Sequence, residues 1–224
     1  MINIGIVGCG YISYYYCISN LKYKNINLLG VYDRNKEKAD ALSKRFQCLS
    51  YRSLDLLLDN DNIHLVINLT NPTFHFEINK RILEAGKHLY SEKPIVLEIS
   101  QYDILQTIAD KNNLQIMTAP ANYCSDYYPI LKDNISKIGA LKKIICFCTE
   151  KDVQYNQIVN PLGQKWNIKD EFETGCNLEH SGYMLSVIVS LIGKITEVGI
   201  TKKLFLGKKI VPTATHNTYR SELK

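Results

Sequence analysis

The chain begins with an apolar run that ends in two glycines, and this stretch constrains the fold more than any other. Residues 3–13 are NIGIVGCGYIS, so a short strand would lead into Gly8 and Gly10 and then into a helix. A strand, a glycine turn and a helix in this order are typical of a dinucleotide-binding βαβ unit. Gly8 would form the tight turn, and Gly10 would let the backbone approach a pyrophosphate at the helix N-terminus. Ser13 stands where a third glycine is usual, and serine is small enough for the helix to pack closely on the strand.

An acidic residue follows the second apolar run. Residues 26–32 (INLLGVY) precede Asp33, which lies 23 residues after Gly10. This spacing suits a carboxylate that binds the ribose hydroxyls of adenosine. Arg34 comes next and could stack on adenine or pair with a 2′-phosphate, so both NAD and NADP stay open. Asp33 would repel a 2′-phosphate and therefore favours NAD. Asp33 could also act as the N-cap of the amphipathic helix that follows it.

Apolar runs and amphipathic segments continue to alternate up to residue 120. After Asp33, strands are predicted at 48–51, 64–69, 88–91 and 114–118, and helices at 53–58, 73–85 and 100–112. Strands that alternate with helices predict an α/β fold with a doubly wound parallel sheet of the Rossmann type and right-handed crossovers. Ligands of such sheets bind beyond the carboxyl ends of the strands, where the polar motifs of this sequence stand.

Two of these motifs follow the fourth and fifth predicted strands. Residues 70–72 (TNP) and His75 follow the fourth strand, and residues 92–94 (EKP), within GKHLYSEKPI, follow the fifth. Together with the glycine turn and Asp33, they resemble the glucose–fructose oxidoreductase, inositol dehydrogenase and rhizopine catabolism family (Gfo/Idh/MocA). The resemblance covers the first 120 residues and extends more loosely to the end of the chain.

The resemblance implies an NAD(P)-dependent oxidoreductase. A hydride would pass between the nicotinamide and a hydroxyl or keto carbon of a sugar, cyclitol or nucleotide sugar. In this family the EKP lysine, here Lys93, contacts nicotinamide and substrate and assists proton transfer. A partly desolvated lysine near a positively charged nicotinamide should have a lowered pKa, which suits a proton relay. The cofactor-binding residues predicted from the glycine turn, Asp33 and the resemblance are Gly8, Gly10, Tyr11, Ile12, Asp33, Arg34, Thr70, Asn71, Pro72, His75, Glu92, Lys93, Asn122 and Trp166.

The segment DEFETGCNLEHSGY contains the candidate partners of Lys93. Comparison with the family's Asp-x-Gly-x-His pattern aligns Glu179 with the aspartate and Tyr183 with the histidine. His180 lies three residues before Tyr183, so the two side chains would share a helix face. Imidazole titrates near neutral pH, whereas tyrosine needs a nearby cation to do so. His180 and Tyr183 are both candidates for the catalytic acid/base.

The pattern changes after residue 120. We predict an NAD(P)-binding domain at 1–120 and an α+β substrate and dimerisation domain at 121–224. A helix is predicted at 126–136 and strands at 141–149, 195–202 and 203–211. The resemblance implies that the last two strands open an antiparallel sheet that covers the substrate and pairs subunits into a homo-oligomer. Relatives usually continue well beyond this length, so an incomplete second domain is expected. The alternative function is a non-catalytic dinucleotide-binding relic or a scaffold.

Composition excludes several other classes. The net charge of +5 comes partly from short, scattered lysine pairs without interleaved aromatic residues, so nucleic-acid binding is not predicted. The seven cysteines include no CxxC pair, which predicts reduced thiols and no metal site. No apolar run approaches the about 20 residues that span a bilayer, and no leader precedes the first strand. We therefore expect a cytoplasmic protein with no membrane partner and a small-molecule polyol or sugar substrate.

Overall fold

The first half of the chain forms the predicted α/β fold. The computed structural model describes residues 1–120, 122–139, 141, 143–145, 158–166, 174, 176–199, 210–212 and 218–220. Six parallel strands make one sheet, and their order is β3-β2-β1-β4-β5-β6. The strands are β1 (Ile2–Val7), β2 (Ile26–Tyr32), β3 (Leu49–Ser50), β4 (Leu65–Asn68), β5 (His88–Ser91) and β6 (Ile116–Thr118). The order reverses between β1 and β4, which opens a crevice at the carboxyl ends of these strands.

Five helices connect these strands. They are α1 (Ser13–Asn20), α2 (Lys36–Phe46), α3 (Leu54–Leu58), α4 (Pro72–Glu84) and α5 (Ile99–Lys111). Local signals set where they begin: the Asn35 side chain accepts the N–H of Lys38 at the start of α2, and Ser53 accepts the N–H of Leu56 at the start of α3. Asn35 is therefore the N-cap of α2, which leaves the carboxylate of Asp33 for another role.

Apolar side chains on the two faces of the sheet form two buried clusters. Successive residues of a strand point to opposite faces, so Ile6 lies in one cluster and Val7 in the other. Leu89 and Leu105 are buried with Val7, and Leu42 is buried with Ile6. Each such side chain contributes about 1.5–3 kcal/mol when it leaves water. These clusters fix the sheet and so the positions of the loops at its carboxyl edge.

A buried polar network joins the ends of β4 and β5 to α4. The Asn68 amide donates to Oδ1 of Asn79 over 2.8 Å, and the Asn79 amide donates to Oγ of Ser91 over 3.0 Å. Oδ1 of Asn68 accepts the N–H of Thr70 at 3.0 Å. All three network side chains are fully buried. The network therefore holds the first residues of the loop that follows β4.

The second half is described in separate pieces. Two helices are α6 (Tyr127–Ile135) and α7 (Cys176–Ile192), and 3-10 turns cover Asn122–Cys124 and Ser136–Ile138. A short ribbon pairs β7 (Ile210–Pro212) with β8 (Thr218–Arg220) in antiparallel fashion. Nowhere in the described ranges is there a helix long and apolar enough to cross a membrane.

Two strands predicted in the second half differ from the structure where it describes them. Residues 141, 143–145 and 195–199 lie outside any strand, and the remaining residues of those two predictions, 142, 146–149 and 200–202, lie outside the described ranges, as does most of the predicted strand 203–211. Ile145 and Val198 are both exposed. An apolar run becomes a strand when a neighbouring strand and a packed face stabilise it, which sequence pattern alone does not supply. The larger antiparallel sheet and the domain boundary after residue 120 stay predictions.

Candidate functional site

A cavity of about 640 Å³ opens at the carboxyl edge of the sheet. Its wall combines the glycine turn, the loops after β2, β4 and β5, and side chains from the second half of the chain. Most of the predicted site residues line it: Gly8, Gly10, Tyr11, Ile12, Asp33, Arg34, Thr70, Asn71, Pro72, Glu92, Lys93, Trp166 and Tyr183. Lys38, Phe74 and Lys165 also line it. A cavity of this size is in the range that holds small-molecule ligands and cofactors.

The glycine turn has the geometry that its sequence predicts. Gly8 has a φ of +94°, and a Cβ at this position would lie 2.7 Å from the carbonyl group of Leu69. A side chain at position 8 would therefore be strained and would clash with the backbone. A Cβ on Gly10 would meet no atom within 4 Å, so this side of the turn is open. The buried Ser13 hydroxyl donates to the Gly10 carbonyl over 2.6 Å and starts α1 directly after the turn.

Asp33 joins the end of β2 to the glycine turn. Its Oδ2 accepts the N–H of Cys9 at 2.7 Å, and its Oδ1 accepts the N–H of Asn35 at 2.7 Å. A carboxylate oxygen has more than one lone-pair site, so both oxygens keep capacity for a ligand hydroxyl. The Arg34 guanidinium lies 5.2 Å from the centroid of the Phe74 ring. The cavity lining therefore contains both a fixed acceptor pair on Asp33 and the Arg34 cation.

Lys93 follows β5 and also lines the cavity. Its Nζ is 5.8 Å from the centroid of the Tyr183 ring, which α7 contributes. Its backbone N–H donates to Oε2 of Glu92 at 2.9 Å. The side chain of Lys93 is half-buried. A lysine and a tyrosine from different halves of the chain therefore face the same space.

Sequence patterns missed a tyrosine that holds Glu92. The Tyr16 hydroxyl donates to Oε1 of Glu92 over 2.7 Å, across 76 residues of sequence. Burial beside the Glu92 carboxylate raises the pKa of Tyr16, so this hydroxyl stays protonated and remains a donor. The Tyr16 ring packs edge-on against Tyr90, with centroids 5.9 Å apart. The run Tyr14-Tyr15-Tyr16 contains no local pattern that singles out the third hydroxyl.

Three predicted site residues lie outside the cavity lining. His75 is fully buried, with Nδ1 2.6 Å from the Pro94 carbonyl and Nε2 2.8 Å from the Thr70 carbonyl. It therefore connects the loops after β4 and β5 from behind the cavity wall. The Asn122 amide donates to the backbone carbonyl of Tyr183 over 3.0 Å, and His180 lies on α7 about one turn before Tyr183. Contacts of these residues with cofactor or substrate stay predictions.

A segment from which the sequence analysis named only Trp166 also contacts the glycine turn. Residues 158–166, named here the hairpin, fold back through an antiparallel bridge between Val159 and Lys165. The Trp166 ring lies edge-on to the Tyr11 ring, with centroids 5.0 Å apart. Trp166 was predicted as a cofactor-binding residue, but its ring contact with Tyr11 was not predicted.

Comparison with known proteins assigns the first half of the chain. Residues 2–119 match the family model GFO_IDH_MocA, described as an oxidoreductase family with an NAD-binding Rossmann fold. Glucose-6-phosphate 3-dehydrogenase of Bacillus subtilis is 29% identical over 136 residues, which are 60% of this chain and 38% of that protein. The chain spans between 32% and 62% of the length of eight curated relatives that it matches.

Solved structures show the same fold. GenD2 from gentamicin A biosynthesis, solved in complex with NAD, has a TM-score of 0.59 and 21% identity and covers 62% of this chain and 40% of its own. KijD10, a 3-ketoreductase from Actinomadura kijaniata solved with TDP-benzene and NADP, has a TM-score of 0.57 and 22% identity and covers 61% of this chain and 43% of its own.

Proposed function

Because the chain belongs to the oxidoreductase family with an NAD-binding Rossmann fold (Gfo/Idh/MocA), we propose that it transfers a hydride between nicotinamide and a sugar, cyclitol or nucleotide-sugar carbon. The observation that carries this proposal is the single cavity that Lys93 and Tyr183 share with the glycine turn and Asp33. The substrate class is supported by relatives that are named for glucose 6-phosphate and UDP-N-acetylglucosamine oxidation.

The residues present fit a dinucleotide. The side of Gly10 that lacks neighbouring atoms leaves room for a diphosphate beside the N-terminus of α1, where the helix dipole favours an anion. The anchored carboxylate of Asp33 would accept the hydroxyls of the adenosine ribose. The loop at 70–72 and the Glu92-Lys93 pair would hold the nicotinamide half. Asp33 favours NAD, with NADP as the alternative.

The chain's own contribution to the chemistry is orientation and proton transfer. Nicotinamide, when bound, supplies the hydride chemistry. Lys93 in its neutral amine form would accept the proton that leaves when a substrate hydroxyl becomes a keto group, and the resulting ammonium would donate a hydrogen bond to the keto oxygen. Tyr183 faces Lys93 across the cavity and would exchange that proton, with His180 as the alternative from the same helix face. Glu92, fixed by Tyr16, holds the backbone from which Lys93 extends.

We extend the proposal to the second half of the chain. Residues 121–224 would form the substrate and dimerisation domain, because α7 already places Tyr183 in the cavity and the hairpin places Trp166 there. The site would therefore be a composite of both halves.

The test begins with cofactor binding. NADH and NADPH are titrated while nicotinamide fluorescence is followed, and turnover is then measured with NAD⁺ or NADP⁺ as oxidant on glucose 6-phosphate, myo-inositol and UDP-N-acetylglucosamine. Lys93→Met is expected to weaken NADH no more than severalfold, because the diphosphate and ribose contacts remain, and to lose roughly a hundredfold or more in turnover. Lys44→Met, at an exposed lysine of α2, is the matched control. An intact protein that binds neither dinucleotide would sink the proposal, and binding without turnover on any polyol or sugar would favour the non-catalytic alternative.

A further inference from the structure

The side-chain amide of Asn160 has all its donors and its acceptor in hydrogen bonds, where the two halves of the chain meet. Asn160 is 4% exposed, and its Nδ2 donates to the carbonyl of Tyr11 at 3.0 Å and to Oε1 of Gln164 at 2.7 Å. Its Oδ1 accepts the N–H groups of Leu162 and Gln164, both at 3.0 Å. An asparagine amide offers two donors and one carbonyl oxygen, and all of them are engaged here. Asn160 therefore fixes the shape of the hairpin and attaches it to the glycine turn.

A second amide attaches the hairpin on the other side of Gly10. The Gln164 side chain donates from Nε2 to the carbonyl of Cys9 over 2.6 Å. The two carbonyls that the hairpin binds, those of Cys9 and Tyr11, thus come from the residues that flank Gly10. Leu162 packs against the buried cluster that contains Cys9. Polar and apolar contacts together place the hairpin directly on the turn.

Holding these carbonyls also aims the N–H groups of the turn. In a trans peptide the C=O of one residue and the N–H of the next lie in one plane and point in opposite directions. The Gln164 contact with the Cys9 carbonyl therefore sets the direction of the Gly10 N–H. The Asn160 contact with the Tyr11 carbonyl sets the direction of the Ile12 N–H in the same way. Such N–H groups are the donors with which a glycine turn binds phosphate oxygens.

The hairpin also adds a cation to the lining of the cavity. Lys165 and Trp166 line the cavity together with Gly10 and Ile12. Lys165 is exposed, and Trp166 is held edge-on to Tyr11. An ammonium group beside backbone N–H donors is suited to a diphosphate, because charge-assisted hydrogen bonds to an anion are stronger than neutral ones.

We propose that the hairpin completes the diphosphate part of the dinucleotide site. Lys165 would contact the diphosphate, and Asn160 and Gln164 would be positioning residues that aim the N–H groups of the glycine turn. This inference rests on the proposed dinucleotide function. It implies that cofactor affinity depends on residues about 150 positions after the turn that binds it.

The test uses the full chain and energy transfer from Trp166, the sole tryptophan, to the reduced nicotinamide of NADH. ADP-ribose and adenosine, which lack nicotinamide, are measured by their displacement of bound NADH. Lys165→Met is expected to weaken NADH and ADP-ribose about tenfold, the effect of losing one charge-assisted contact, and to leave adenosine binding unchanged. Gln164→Met is expected to weaken NADH severalfold and to shift the Trp166 emission, since the hairpin loses one of its anchors to the turn. Lys194→Met, at an exposed lysine after α7, is the matched control.

The outcomes separate this inference from the function on which it rests. A parent protein that binds NADH while both hairpin variants bind it within twofold would overturn the inference alone. A loss that is equal for NADH and adenosine would also overturn it, since it would point to a general structural effect. A parent protein that binds no dinucleotide would overturn the proposed function and this inference together. NADH binding that falls as expected in the variants supports the inference even if no substrate is turned over.

Discussion

The two halves of the described chain stabilise themselves in different ways. In residues 1–120, apolar side chains form buried clusters on both faces of the sheet. Among the described residues after 120, Asn160 is the one buried side chain, and apolar residues such as Ile130 and Ile192 are exposed. The first half thus carries its own core, whereas the described second half meets the site through a few hydrogen bonds, ring contacts and the apolar contact of Leu162. The glycine turn and Asp33 are thus carried by the buried first half, whereas Trp166 and Tyr183 line the cavity from segments with little buried surface of their own.

The largest expected effect tests where the core lies. Leu89→Ala removes a fully buried side chain and should lower the free energy of unfolding by about 2–5 kcal/mol. Ile130→Ala removes a side chain that is 63% exposed and should change it by no more than about 0.5 kcal/mol. Urea unfolding of the two variants and the parent measures both values. Equal losses at the two positions would break the contrast between the halves.

A somewhat smaller effect is expected in the pH dependence of stability, which depends on thiols buried in the same core. Burial raises the pKa of Cys17 to about 12 and that of Cys48 to about 11, against a value of 9.0 for a free thiol. Above pH 9 the unfolded state releases protons that the folded state keeps, so stability present below pH 9 is lost as pH rises toward the folded pKa.

The loss from Cys17 alone is up to about 1.4 kcal/mol per pH unit, and the less buried Cys48 adds a smaller loss. Urea unfolding at pH 8, 9 and 10 measures the slope. Cys17→Ala should flatten this slope relative to the parent, and Cys124→Ala, at an exposed thiol, is the matched control. Identical slopes in the parent and Cys17→Ala would show that the buried thiol is not responsible.

An effect of similar size concerns the hydroxyl that holds Glu92. Tyr16→Phe deletes a donor to a carboxylate and should lower the free energy of unfolding by about 1–2 kcal/mol. Tyr23→Phe, at a residue that is 57% exposed, should leave it nearly unchanged. Thermal and urea unfolding compare the pair. If both variants lose the same stability, the contact between Tyr16 and Glu92 contributes nothing specific to the stability of the first half.

Local sequence patterns were sufficient to predict the strands and helices of the first half. The strand that ends at Gly8, the acidic residue after β2 and the alternation of strands and helices all depend on neighbouring residues, and the structure has them within a few residues of the predicted bounds. Gly8 illustrates why such a position is predictable. Its positive φ is strained for other residues, and the nearby Leu69 carbonyl leaves no space for a side chain. The roles of the predicted site residues in binding and catalysis stay predictions.

Contacts between distant residues could not be predicted in the same way. Tyr16 meets a carboxylate 76 residues further on, and Gln164 meets a carbonyl 155 residues before it. Nothing in the composition around Asn160 distinguishes a buried amide from an exposed one. His75 was expected near the cofactor, but its ring nitrogens face the carbonyls of Thr70 and Pro94, and that position depends on how two loops fold together.

The network of Asn68, Asn79 and Ser91 restricts the order in which this sequence can evolve. Replacing Asn79 alone with leucine would remove the partner of the Asn68 amide inside the protein, at a cost of about 1–3 kcal/mol. The same replacement becomes less costly once Asn68 and Ser91 are apolar too, because coupled positions do not add independently. Substitutions at these three sites are therefore energetically coupled, and homologues that differ at one of them should differ at the others.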